Sequence, residues 1–276
     1  MHSALYVSKT GLAAQDIQLT TIANNLANTS TVGYKRDRAV FEDLLYQIQR
    51  QPGAQNTEET QLPSGLQLGT GVRVVGTQKQ FTAGSLQITG QPLDMAIDGR
   101  GFFQILQPDG DIGYTRAGQL HLSAEGEIVD ASGLLLQPAI TVPPNADRLT
   151  VGTDGIVSAF IPGTPDPQVL GNIQTVDFVN PAGLQAIGGN LFLETAASGD
   201  PLTGTPGENG LGQVKQGMLE NSNVDIVEEM VNMITTQRAY EMNSKIVSTA
   251  DQMLQFVRRT CNNAEIYWPN KSRLSG

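Results

Sequence analysis

Leu5, Leu12, Leu19 and Leu26 recur at seven-residue intervals, and this spacing constrains the chain more than any other feature. A heptad of leucines keeps one apolar stripe on one side of a helix, the arrangement by which helices pack lengthwise on other helices. Residues 225–257 carry a second helical pattern, uninterrupted by Pro or Gly. Between them lie about 200 residues of short apolar runs and turns. Two helices so far apart in sequence meet only if the ends of the chain return to one another. The expected class is α+β, with the terminal helices paired as a coiled-coil-like domain, a central meander-rich all-β domain, and an extended linker arm.

The first helix is expected to start near Ser3 and to end around Asn28-Thr29-Ser30-Thr31. Short polar side chains there compete for backbone hydrogen bonds, and Gly33 supplies a left-handed exit. Val40, Phe41, Leu44, Leu45 and Ile48 predict a short amphipathic helical turn or two. From Gln49 to Gly71 periodicity disappears, which is the pattern of a long loop or of an arm that orders against a neighbouring subunit. Gly110, Gly118, Gly126 and Gly133 mark the turns of a meander, and Thr153-Asp154-Gly155 starts another hairpin. Val176, Phe178, Leu191 and Leu193 mark later strands, and residues 161–167 and 199–210 read as loops. The C-terminal helix opens on Asp225-x-x-Glu228, a capping-box spacing.

Chemistry is scarce. The chain has two histidines and one cysteine, Cys261, which leaves no internal disulfide and disfavours zinc. His121 falls in a meander strand. Gly99-Arg100-Gly101 lacks the third glycine of a dinucleotide fingerprint and precedes a strand. Asp109-Gly110-Asp111 lacks the alternating oxygens of a calcium loop. No catalytic, metal or cofactor residue is expected, so the chain is read as no enzyme.

The formal charge is −10, and the last 19 residues carry a local +3 against it. No basic patch interleaves with aromatics, which argues against nucleic acid. No stretch approaches the roughly 20 apolar residues of a membrane helix, so no membrane insertion is expected. Lys9 is the only Lys or Arg among the first 34 residues and no apolar run follows it, so the chain is expected to stay in the cytosol or to leave by a route that reads no cleavable signal peptide.

Four blocks carry a resemblance. IANNLANTSTVGYKR (22–36) resembles the N-terminal signature of the bacterial flagellar rod and hook axial proteins. LDMAIDGRGFFQI (93–105), YTRAGQL (114–120) and EEMVNMITTQRAYEMNSKIVSTADQML (228–254) are similar to the family's other shared blocks. The stretch 38–74 is narrower, and resembles the distal rod members. The resemblance runs from residue 1 to about 257, whereas the chain continues to 276.

The resemblance implies a structural subunit that assembles helically with copies of itself into a rigid hollow rod. That rod would transmit torque to the hook and enclose the export channel. Residues 1–33 and 222–257 would form the inner helical domain, 34–75 and 212–221 a connecting region, and 76–211 the outer β domain, with 258–276 an atypical extension. Implied partners are proximal rod proteins, the hook protein, surrounding outer ring proteins and the flagellar type III export apparatus. The implied location is the basal body, spanning periplasm to outer membrane, reached by export without a cleavable signal peptide.

Together with the heptad, the resemblance places subunit-interface residues at Leu5, Leu12, Leu19, Ile22 and Leu26, with Asn24, Asn25 and Asn28 as polar contacts. On the second helix they fall at Ile226, Met230, Ile234, Met242, Ile246 and Met253. Residues 46–71, with Gln51, Pro52, Gly53, Leu62 and Pro63, would stiffen the rod. Within the family a proximal rod or hook-type subunit is the alternative, and a β-rich hydrolase is the alternative outside it. Helices whose stripes lack a partner gain little stability alone, so residues 1–71 and 220–257 are expected to be labile in a free monomer.

Overall fold

The computed structural model describes residues 2–53, 64–163 and 166–266. Two helices flank the strands, α1 (His2–Ala27) and α2 (Ile226–Ile266). The chain divides into two compact units, and both helices run from one into the other. Unit 1 comprises residues 1–23, 38–77 and 230–276, and unit 2 comprises 24–37 and 78–229.

α1 begins in unit 1 and ends in unit 2, where its capping side chains begin. The Asn28 side chain donates to the Asn24 carbonyl at 2.9 Å, and the Thr29 hydroxyl donates to the Leu26 carbonyl at 2.8 Å. The Leu5, Leu12, Leu19 and Leu26 stripe is half-buried. The buried positions of α1 are Ser8, Ala14, Thr21, Ile22 and Asn25, all but Ile22 small or polar. A Cβ added to Gly11 would lie 3.2 Å from the Asn243 side-chain nitrogen of α2, so the two helices touch there. On α2 the more buried positions recur every seven residues. They are Glu229, Thr236 and Ala250, with Asn243 half-buried. Ile226, Met230, Ile234, Met242, Ile246 and Met253 of α2 are exposed.

Four strands complete this part of the chain: β1 (Asp37–Asp43), β2 (Tyr46–Arg50), β3 (Leu66–Gly69) and β4 (Val72–Lys79). β1 pairs with β4, and β2 pairs antiparallel with β3. The amphipathic helical turn expected over residues 40–48 is therefore corrected to strand. Val40 and Phe41 are β-formers, and the apolar positions fit either period until β4 supplies ladder partners. The pattern-free arm is likewise corrected at both flanks, where 46–50 and 66–69 form a hairpin ladder. Gln51, Pro52 and Gly53 follow β2, while Leu62 and Pro63 lie outside the described residues.

Unit 2 holds the remaining strands. In chain order they are β5 (Leu86–Ile88), β6 (Met95–Asp98), β7 (Phe103–Leu106), β8 (Ile112–Thr115), β9 (Leu120–Leu122), β10 (Ile128–Asp130) and β11 (Leu135–Gln137). Next come β12 (Arg148–Val151), β13 (Ile156–Phe160), β14 (Gln168–Asn172), β15 (Thr175–Asp177) and β16 (Gln185–Gly188). The last four are β17 (Leu191–Leu193), β18 (Leu202–Gly204), β19 (Gln213–Gln216) and β20 (Met218–Glu220).

The main sheet has seven strands in the order β16-β17-β8-β7-β11-β10-β9. The expected meander is present as β9-β10-β11, but β11 then pairs with β7, so the run is not a simple up-and-down sheet. Gly110, Gly126 and Gly133 sit at positive φ in turns, as expected. Gly118 does not. An added Cβ there would collide with the Met95 carbonyl, so this glycine serves a close backbone approach. The Thr153-Asp154-Gly155 hairpin joins β12 to β13, with β14 as the third strand. Part of the 199–210 loop is strand β18, paired with β15.

Two clusters fill unit 2. Met95, Phe103, Ile105, Leu120, Leu136 and neighbours pack under the main sheet. Phe102, Tyr114, Val176, Phe178, Leu184 and Phe192 form the second, joined by Phe81. Its rings meet edge to face, as Tyr114 does with Phe178 at 4.8 Å between centroids, the geometry favoured by the ring quadrupole.

Candidate functional site

The part of the signature block that lies in unit 2, residues 24–36, carries a dense set of polar contacts. Asn25, 1% exposed, is the hub. Its side-chain oxygen accepts from the Asp37 N–H at 2.8 Å and from the Tyr34 hydroxyl at 3.2 Å. Its side-chain nitrogen donates to the Asp37 carbonyl at 2.8 Å and to Glu229 at 3.4 Å. The chain can turn there because Gly33 takes φ +70° and donates its N–H to the Glu220 carbonyl at 2.8 Å. A Cβ at Gly33 would come within 2.6 Å of the Ala117 nitrogen.

Lys35 and Arg36 diverge from this turn. Lys35, fully buried, donates to Glu220 at 2.7 Å and to the Thr82 carbonyl at 2.8 Å. Arg116, also buried, reaches the other Glu220 oxygen at 3.3 Å and the Gly99 carbonyl at 2.6 Å. Two cations thus share one carboxylate. Burial lowers the pKa of Lys35, and Glu220 opposes that shift. Burial likewise lowers the pKa of Arg116, again opposed by Glu220. Arg36 binds two carboxylates of the first turn of α2, Glu228 at 2.9 Å and Glu229 at 2.7 Å. The expected N-cap is present. Asp225 accepts from the N–H groups of Val227 at 2.8 Å and Glu228 at 3.2 Å, while the Glu228 carboxylate turns to Arg36.

Tyr34 and Tyr114 provide a pH test of this packing. Burial, then the neighbouring Asp37, pushes the Tyr34 hydroxyl up to about 12. Burial, then Glu194, pushes Tyr114 up to about 12. Both values lie above the unfolded pKa of about 10. The protonated phenols therefore contribute stability that is complete below pH ~10 and is lost as pH rises through ~12. In a phenolate absorbance titration two of the six tyrosines should ionise last, together with loss of near-ultraviolet circular dichroism. Six phenols ionising together near the ordinary value would contradict the packing.

The sequence-predicted interface residues separate into two groups. Ile22 and Asn25 are buried within the chain itself, and Asn24 and Asn28 bond to one another at 2.6 Å. In contrast, Ile226, Met230, Ile234, Met242, Ile246 and Met253 are each about half exposed or more. Val227 and Val231 add to that surface, at 71% and 53% exposed. Lys35, Arg36, Arg116 and Glu220 escaped sequence reasoning. The available signal was a charge inside an otherwise apolar or glycine-flanked shared block, as in Tyr-Thr-Arg-Ala-Gly.

None of this is catalytic geometry: the charges neutralise one another in the interior. Among the described residues no group of three or more His, Cys, Asp or Glu could hold a metal, and no helix is long and apolar enough to cross a membrane. Residues 5–35 match the family described as flagella basal body rod protein. Residues 96–159 match the flagellar hook protein FlgE/F/G D1 domain, and residues 215–260 the flagellar basal body rod FlgEFG protein C-terminal domain. A β unit bounded by helices bearing these three matches defines a structural protein of the flagellar rod and hook class, and not an enzyme.

Whole-chain comparison narrows the class. The chain is 53% identical to the flagellar basal-body rod protein FlgG of Buchnera aphidicola subsp. Schizaphis graminum, over 92% of this chain and 98% of that protein. It is 48% identical to that of Caulobacter vibrioides, over 91% and 97%, and 36% identical to that of Bacillus subtilis, over 92% and 97%. The chain belongs to the FlgG family of flagellar basal-body rod proteins.

Proposed function

We propose that this chain polymerises helically into the distal rod of the flagellar basal body, a hollow shaft that carries torque to the hook and encloses the export channel. The observation that carries this reading is the outward apolar face of α2. Monomeric proteins rarely expose contiguous apolar patches beyond a few hundred Å² without an interaction to serve. Residues Ile226, Met230, Ile234, Met242, Ile246 and Met253 fit the helices of neighbouring copies, with the half-buried leucine stripe of α1 as the second element of the seam. Proximal rod proteins below, the hook protein above, ring proteins around and the type III export apparatus behind are the partners this reading assigns. The β2–β3 hairpin, with Tyr46, Ile48, Leu66 and Leu68 exposed, supports a role between copies for the 46–71 segment.

Electron microscopy of the purified protein tests the proposal. The parent chain should form straight tubes, and Leu12→Asp or Ile246→Asp should not, because a carboxylate in a helix seam costs several kcal/mol per subunit. Both variants should keep the circular dichroism of the β unit. Normal tubes from Ile246→Asp would remove α2 from the interface.

A further inference from the structure

We propose that residues 24–37 and 220–229 form a latch that keeps the last turn of α1 and the first turn of α2 folded in the free subunit. Each terminal helix then carries its own nucleus and grows outward from it when its faces find a neighbour. The growth step rests on the assembly reading above; the latch does not.

The physical case begins with nucleation. Closing a first helical turn fixes several dihedrals for a single hydrogen bond, so an isolated helix start is disfavoured by a factor of about a thousand. In α2 that turn is the most heavily bonded part of the helix. Asp225 caps two N–H groups, Arg36 grips Glu228 and Glu229 together, and Asn25 reaches Glu229. The segment before the helix is fixed as well. The Asn223 side chain accepts from the Arg36 N–H at 2.7 Å and donates to the Gln80 carbonyl at 2.8 Å.

Beyond Glu229 the character of α2 changes. No ion pair involves the described residues of α2 past that position. Most of its side chains there are exposed. The last turn of α1 is treated like the first turn of α2. Asn25 ties it to Tyr34 and to both backbone groups of Asp37. Gly33 and Lys35 then anchor the outgoing strand to Glu220 in the interior of unit 2. Both latched turns lie inside unit 2, and the remainder of each helix lies outside it. The expectation of labile ends over residues 1–71 and 220–257 is thereby narrowed to exclude 24–37 and 220–229.

Hydrogen exchange on the full-length chain, dilute enough that no polymer forms, tests this. Peptides covering 226–233 should exchange about tenfold or more slowly than those covering 240–253, a gradient within one helix that sub-global opening produces when one end is anchored. Arg36→Met should raise exchange over 226–233 about tenfold and leave 103–115, in the β core, unchanged. A single exchange rate along α2, or an Arg36→Met chain with 226–233 untouched, overturns the proposal. If Arg36→Met also loosens 103–115, Asp225→Ala decides. It removes only an exposed cap and should speed 226–233 about fivefold with the core intact. No change at 226–233 in that variant is equally decisive against the latch. A parent chain that shows the gradient but never forms tubes sinks the assembly reading and leaves the latch standing.

Discussion

Glu220→Leu is expected to unfold unit 2 at a denaturant concentration where the parent chain is intact. Glu220 is 1% exposed and accepts from Lys35, from Arg116 and from the Gly84 N–H at 2.9 Å. Its loss leaves two buried cations and one part-buried amide without the carboxylate they share, with only backbone carbonyls remaining to the cations. Breaking a buried pair costs about 3–5 kcal/mol because the surviving charge is uncompensated. Here two charges survive, so the upper end of that range applies, against a total stability of about 5–15 kcal/mol for a typical domain. Lys35→Met is expected to behave differently. It leaves Arg116 and Glu220 as a neutral pair and removes an ammonium whose burial already opposes its charge. The cost should be clearly smaller than that of Glu220→Leu, because Glu220 keeps Arg116 and no buried charge is left uncompensated. Urea titration of the two variants measures the contrast. Equal losses would mean that the cluster is held by packing rather than by its one carboxylate.

How much of this was legible depends on how local each determinant is. The end of α1 at Ala27 and the Asp225 cap were readable, because a cap side chain and its N–H partners lie within three residues of one another. The turns at Gly110, Gly126 and Gly133 were readable for the same reason. Residues 40–48 were misread because Val40, Phe41, Leu44, Leu45 and Ile48 fit a helix as well as a strand. The partner that decides, β4, begins about 30 residues later. The β2–β3 hairpin was missed because Tyr46-Gln47-Ile48-Gln49 and Leu66-Gln67-Leu68 alternate over only three or four residues each, too short a run to mark a strand before its partner is known.

The helical pattern of α2 was legible, but not which of its positions the chain buries against itself. Periodicity reports that one helix face differs from the other, and not which face the chain keeps for itself. Here the chain keeps Glu229, Thr236 and Ala250 and leaves the apolar face outside. The buried cluster was the least legible part. Lys35 and Glu220 are 185 positions apart, and each charge looks like ordinary surface until the sheet brings them together.

Gly33→Ala is the second substitution expected to have a large effect, and it separates two penalties that a glycine can conceal. Gly33 takes φ +70°, where any Cβ is strained by about 1 kcal/mol. It also has no room. The added carbon would lie 2.6 Å from the Ala117 nitrogen and 2.7 Å from the Arg116 carbonyl carbon, both backbone atoms with no rotamer to change. Relief requires moving either the α1 turn or the strand end that delivers Arg116 to Glu220, so the expected cost is about 3–5 kcal/mol, the range of overpacked and strained core sites. Gly189→Ala supplies the comparison. Gly189 takes φ +61° with nothing within 4 Å of an added Cβ, so it should lose only the backbone penalty of about 1 kcal/mol. Chemical denaturation of both variants, with the slope unchanged and only the midpoint shifted, reads the difference directly. If the two alanines cost the same, the close approach of Gly33 to residues 116 and 117 contributes nothing, and the turn is held by its dihedral angle alone.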